Sequence, residues 1–252
     1  MLTPSHRSTP DRDFWHARTD LACAFRWTAR LGMHEAVANH FSYVVDNARN
    51  RFLINPAGHH FSRIRASDLV LLDPHESPAD TGRRRAPDIT ASELHGAIHR
   101  NAGRAQCVLH THPKYATILS CLRDSTLPPI EQNSMRFFER VIVDKEFNGM
   151  GIGDEAERVS TLAAEYPIIL LGNHGLLVVS DSIAQAFDDM YYFERAAETY
   201  IKALNTGKPL SAVSEDVART TRDQWEAHCD FAANHFNALK EILNTEEPDY
   251  AT

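Results

Sequence analysis

Strand-like and helix-like segments alternate along most of this sequence, and that alternation predicts a layered α/β or α+β fold. Two further observations narrow the class. The runs "FSYVVD" and "RFLINP" flank the polar turn "NARN", a hairpin signal that favours a mixed or antiparallel sheet over a wholly parallel one. The 252 residues, 43% of them hydrophobic, also suffice for one sizeable core.

Residues 1–12 are polar and proline-containing and predict a loose tail, followed by a single domain over 13–252 that includes the C-terminal helices. From Asp13 to Gly32, Phe14, Leu21, Phe25, Thr28 and Leu31 recur near helical spacing, and Gly32 suits a cap. A short second helix is expected up to Asn39. The hairpin strands come next, and "SDLVLLD" supplies another strand. "PDITASELHGAIHRNAG" reads as a helix of about three turns, with Thr90 and Ser92 as candidate caps. "AQCVLHTH" is a strand, and Pro113 suits the first turn of the helix "PKYATILSCL". "RVIVDKE" is a short strand and "DEAERVSTLAAEY" a helix. "PIILLGNHGLLVVS" reads as two apolar strands joined by the turn Gly172–Gly175. A long helix follows from Ser182 to Gly207, and one more covers "SEDVARTTRDQWEAHCDFAANHFNALKEIL". No internal repeat or low-complexity segment interrupts the pattern.

The formal net charge of −8 comes without a long run of one sign, so neither a nucleic-acid nor a membrane partner is expected. The start of the chain lacks an apolar signal core, and no run approaches the roughly 18 apolar residues of a membrane helix. Cys23, Cys107, Cys121 and Cys229 form no CxxC pair, which fits a reducing cytoplasm. No GxGxxG or GxxxxGK[ST] occurs, so nucleotide-binding readings lack a motif.

The chemistry concentrates in histidines. His110 and His112, in "VLHTHP", stand two apart on a strand and so share a face, where two neutral imidazoles form a plausible metal clip. His174 sits in the turn "GNHG", whose glycines free the backbone to aim a side chain outward. Three protein ligands with an open position are the usual set of a catalytic metal. By spacing alone, each of these features is also compatible with a hydrogen-bonded histidine or a plain hairpin turn. Glu93 opens a helix just before the histidine-bearing strand, as either a ligand, a general base or a capping acid. His95 and His99 stand at i, i+4 on that helix, where a role on the helix surface or behind the ligands is favoured over ligation. His59 and His60 read as loop surface.

The ordered set "NHFS", "FLINPAGHHFSRIRASDLVLLD", "SELHGAIH", "VLHTHP" and "LLGNHGLLVV" resembles the class II aldolase/adducin family from about Leu21 to Leu204. Its "FLINPAG" and "ASDLVLLD" phrases are similar to the adducin-like branch, while the histidines look like those of the family's enzymes. The resemblance implies a three-layer α/β/α fold around a mostly antiparallel sheet, assembled as a homotetramer with sites at subunit contacts. It implies a divalent metal on His110, His112 and His174, usually Zn2+, with Mn2+, Co2+ and Fe2+ as alternatives, and places the family's acid/base glutamate on Glu93.

Where sugar-phosphate aldolases cradle the phosphate with glycine and hydroxyl positions, this sequence has Ala38-Asn39, Ala57-Gly58 and Ala91-Ser92. Asn39, Gly58 and Ser92 remain as substrate-binding candidates, but the missing hydroxyls disfavour a phosphate dianion. A carboxylate-bearing substrate fits better, with Arg136 as a candidate partner. No counterpart of the aldolases' C-terminal tyrosine is evident. The expected activity is that of a metal-dependent carbon–carbon lyase, a decarboxylase or aldolase working through a stabilised enolate on a small non-phosphorylated hydroxy or oxo carboxylic acid. Its rivals are a non-catalytic adducin-like interaction module and a non-haem iron oxygenase.

Overall fold

The computed structural model describes residues 14–46, 48, 51–72, 86–228 and 230–252. The expected tail and Cys229 lie outside them. Helix α1 (Trp15–Arg30) is followed by β1 (His40–Val44), β2 (Phe52–Ile54), β3 (Val70–Leu72), α2 (Ile89–Asn101), β4 (Cys107–Thr111), α3 (Lys114–Ser120) and α4 (Gln132–Met135). Then come β5 (Val141–Asp144), α5 (Asp154–Glu165), β6 (Ile168–Leu171), β7 (Gly175–Ser180), α6 (Ile183–Leu204), α7 (Glu215–Ala227) and α8 (Asp230–Glu246).

The seven strands form one sheet in the order β3-β2-β1-β4-β7-β6-β5. Among the described residues every pairing is antiparallel except β5 with β6, so the sheet is mixed. The period-2 alternation of each strand sorts its side chains between two cores. Leu109, Ile168, Leu170, Leu176 and Val178 pack with α1, α3, α6 and α8. Val108, Ile169, Leu171, Leu177 and Val179 pack with α2 and α5 on the other face. These are the three layers the resemblance implies.

The structure departs from sequence expectation in four places. No second helix forms before Asn39: Gly32 takes φ 64, Ala36 takes φ 45, and the Asn39 side chain accepts the Glu35 amide at 2.6 Å, which folds 31–39 into turns. The cap of α2 is Asp88, whose carboxylate accepts the Thr90 amide at 2.8 Å, and the Ser92 hydroxyl instead donates to the Asp88 carbonyl. The expected last helix is two, because α7 packs on α4 while α8 must turn to bury Phe236, Leu239 and Leu243 against the main core. The chain bends between them at His228, which has φ −115 and ψ 54. The short α4, finally, has no counterpart in the sequence reading.

Candidate metal centre

β4 lies between β1 and β7, and its register sets the site. His110 is directly opposite Leu177 on one side and His40 on the other, so its ring projects on the α2 side, the face that Val108 shares. His112 follows one residue beyond β4, where Pro113 ends the strand and caps α3. His174 comes from the β6–β7 turn. In that turn the left-handed residue is Asn173, at φ 55, and the two glycines serve close approach. A Cβ on Gly175 would lie 2.6 Å from His112 Cδ2 and 2.7 Å from the Thr111 carbonyl, so only glycine lets the turn close over the histidine pair.

One ligand nitrogen from each of His110, His112 and His174 lies within 4.8 Å of the other two. His110 Nε2 is 3.1 Å from His174 Nε2 and 3.2 Å from His112 Nε2. The other nitrogens explain the orientation. His110 Nδ1 donates to the Leu176 carbonyl at 3.1 Å, and His112 Nδ1 donates to the Glu35 carboxylate at 2.5 Å. A neutral imidazole that donates through Nδ1 has a bare Nε2, so two lone pairs converge on one point. Burial, followed by its histidine neighbours, pushes His110 well below the usual imidazole range. Burial and His112 together bring His174 down to about 4. Crowded, unprotonated nitrogens repel one another unless a cation sits among them. Their spacing is close to the roughly 3.3 Å expected between nitrogens bound at about 2.0–2.1 Å to a tetrahedral zinc. The donor set therefore fits a divalent transition metal.

The other expected residues divide. Asn39 lies beside the cluster, because the Glu35 amide it holds belongs to the residue that grips His112. The Asn39 Nδ2 is buried and makes no hydrogen bond among the described residues. Gly58, at φ 72, lines a cavity of about 300 Å³ with His59, His60, Arg63 and Arg65. That loop meets His34, the residue before Glu35, where His60 Nε2 lies 3.0 Å from His34 Nε2. Ser92 spends its hydroxyl on its own helix.

Glu93 is not among the three residues whose ligand atoms converge. Its carboxylate accepts the Gly153 amide at 2.8 Å, and it stands about 200° around α2 from His95, the residue that faces β1. Arg136 is also elsewhere: it is buried, bonded to Asp188 at 2.5 Å, and stacked between Tyr192 and Trp225 at 4.3 and 4.6 Å.

Two participants escaped the sequence reading. Glu35 had no signal, since only the tertiary fold carries it to His112. His40 lay within the motif "NHFS", and the register with His110 singles it out: the two rings are 4.9 Å apart. His95 and His99, expected on the helix surface or behind the ligands, are fully buried behind His40.

The layered α/β sheet thus carries at its strand ends a three-histidine cluster of the kind that can hold a divalent metal. Residues 19–201 match the family model described as the class II aldolase and adducin N-terminal domain, and the chain belongs to that family. It is 30% identical over 233 residues to "Decarboxylase NovR" of Streptomyces niveus, covering 92% of this chain and 85% of the relative. It is 29% identical to the "4-hydroxy-3-prenylphenylpyruvate oxygenase/4-hydroxy-3-prenylbenzoate synthase" of Streptomyces roseochromogenus, covering 91% of this chain and 82% of that protein. Among solved structures it resembles an aldolase II superfamily protein from Pseudomonas syringae, with TM-score 0.87, 30% identity and 98% of both chains covered.

Proposed function

We propose that this protein is a divalent-metal-dependent carbon–carbon lyase, of decarboxylase or aldolase type, acting on a small non-phosphorylated hydroxy or oxo carboxylic acid. The observation that carries the reading is the convergence of His110 and His112 Nε2 lone pairs, each held bare by an acceptor on the opposite nitrogen. His110, His112 and His174 would hold the metal, zinc first. A bound divalent cation supplies Lewis-acid stabilisation of the enolate charge left when the carbon–carbon bond breaks. The chain's own residues bind and orient the substrate around it. Asn39 offers its buried Nδ2, unpartnered among the described residues, to a substrate oxygen, while Arg63 and Arg65 of the Gly58 loop line a cavity that they share with Asp68 and Asp249. Family membership and the decarboxylase relative support the reaction class. The proposal includes a homotetramer in a reducing cytoplasm, consistent with Cys23 and Cys107 buried as free thiols.

The test is metal analysis of the purified protein and of a His174→Ala variant, followed by substrate screening that scores released carbon dioxide separately from released aldehyde. Stoichiometric metal in the native protein, its loss in the variant, and one of the two products are expected. Protein that folds without binding zinc, manganese, cobalt or iron would favour a non-catalytic, adducin-like role. The oxygenase name of one relative supports a second reading, since three histidines with open positions also suit Fe(II). Oxygen consumption dependent on added iron would select it over a lyase.

A further inference from the structure

Behind the metal centre, on the α2 face of the sheet, runs a continuous buried chain of hydrogen bonds. His99 Nδ1 lies 2.8 Å from the Ala105 carbonyl, and His99 Nε2 lies 2.7 Å from Ser42 Oγ. Ser42 Oγ lies 2.5 Å from His95 Nδ1, and His95 Nε2 lies 2.7 Å from His40 Nδ1. Ser42, His95 and His99 are fully buried and His40 is 6% exposed.

The direction of this chain follows from its far end. A backbone carbonyl only accepts, so His99 must carry its proton on Nδ1, and a neutral His99 then presents a bare Nε2. Ser42 must donate its hydroxyl proton there, which leaves Ser42 Oγ to accept from His95 Nδ1–H. His95 Nε2 is therefore bare and accepts from His40 Nδ1–H. The last consequence falls on His40: its Nε2 carries no proton, and among the described residues it has no hydrogen-bond partner. Neutral rings at His40 and His95 agree with their burial, which disfavours an imidazolium at both.

His40 stands opposite His110 in the sheet, yet it is outside the three residues whose nitrogens converge. It is therefore placed beside the ligands. We propose that His40 is the substrate-facing acceptor of this centre, and that the Ala105–His99–Ser42–His95 chain fixes its bare Nε2 so that the pocket takes a 2-hydroxy acid in preference to the matching oxo acid. This rests on the metal-centre reading above. A hydroxy acid would offer a bound metal its carboxylate and hydroxyl oxygens and still have the hydroxyl proton to donate to His40. An oxo acid of the same shape offers only another acceptor, so two lone pairs would face each other across a desolvated gap. The chain makes Ser42 and His95 positioning residues, which never touch the substrate.

Two measurements test this. Long-range 1H–15N correlation on imidazole-labelled protein without metal reads the tautomers directly, with His40→Gln and His95→Gln variants assigning the signals. His40, His95 and His99 should all be Nδ1–H forms; an Nε2–H form of His40 would overturn the proposal. The second is calorimetric binding of mandelate and phenylglyoxylate to the zinc-loaded protein. Mandelate should bind about tenfold more tightly, and Ser42→Ala should erase most of that preference while leaving zinc affinity unchanged. Equal affinity, or binding of neither, overturns the substrate assignment. Failure to take up zinc at all would instead sink the metal-centre reading, and the tautomers would still decide the chain.

Discussion

At the scale of single residues, this centre is defined by what each imidazole does with its second nitrogen. His110 has a carbonyl behind it and His112 a carboxylate, so their metal-facing nitrogens are prepared before any metal arrives. Groups behind metal ligands typically contribute 10–100-fold to metal affinity. Glu35→Gln should accordingly weaken zinc binding by roughly that factor with the fold unchanged, as measured by competition with a chelating dye. Glu93 gives the opposite expectation. It lies outside the converging ligands, and a glutamine there can still accept the Gly153 amide, so Glu93→Gln should keep metal content within about twofold while turnover falls if Glu93 moves the proton. Retained turnover would exclude Glu93 from the acid/base role.

At the scale of elements, the β6–β7 turn is the piece that completes the cluster. Gly175 has no room for a methyl group, because His112 and the Thr111 carbonyl already occupy the space. Gly175→Ala should displace His112 or open the turn, destabilising the fold by about 1–3 kcal/mol and cutting metal affinity at least tenfold. Thermal melts with and without zinc separate the two effects. Wild-type affinity would mean the turn tolerates the methyl by shifting elsewhere. The "GNHG" phrase was legible as a turn aiming a histidine. That its glycines answer a clash with another strand, while Asn173 takes the left-handed conformation, was not.

At the scale of the whole molecule, buried histidines couple stability to pH. Burial holds His40 down to about 4, while in the unfolded chain it titrates near 6.5. Between those values the unfolded state binds more protons, so acidification favours unfolding. The stability is fully present above about 6.5 and is lost as pH falls through 4, on the order of 3 kcal/mol from His40 alone. His174, held down to about 4, adds in the same direction. Urea unfolding of metal-free protein should show its midpoint falling steadily from pH 7 to pH 4; a flat profile would contradict buried neutral imidazoles. Saturating zinc should raise the midpoint at pH 7, since only the folded state assembles the cluster.

The sequence by itself determined the alternation of strands and helices, the hairpins, and the three histidines, because periodicity and turn chemistry are local properties. His110 and His112 share a face simply by being two apart. Tertiary structure alone decided which groups stand behind those histidines. Glu35 reaches His112 across 77 residues, and His40 meets His110 only through the β1–β4 register. Glu93 shows the converse, since its position beside a promising motif did not fix its direction. Helical rotation sets it about 200° from His95, so its carboxylate accepts the Gly153 amide while His95 faces β1. The shared face of the candidate ligands is thus written in spacing, whereas proton position is set by partners that only folding brings together.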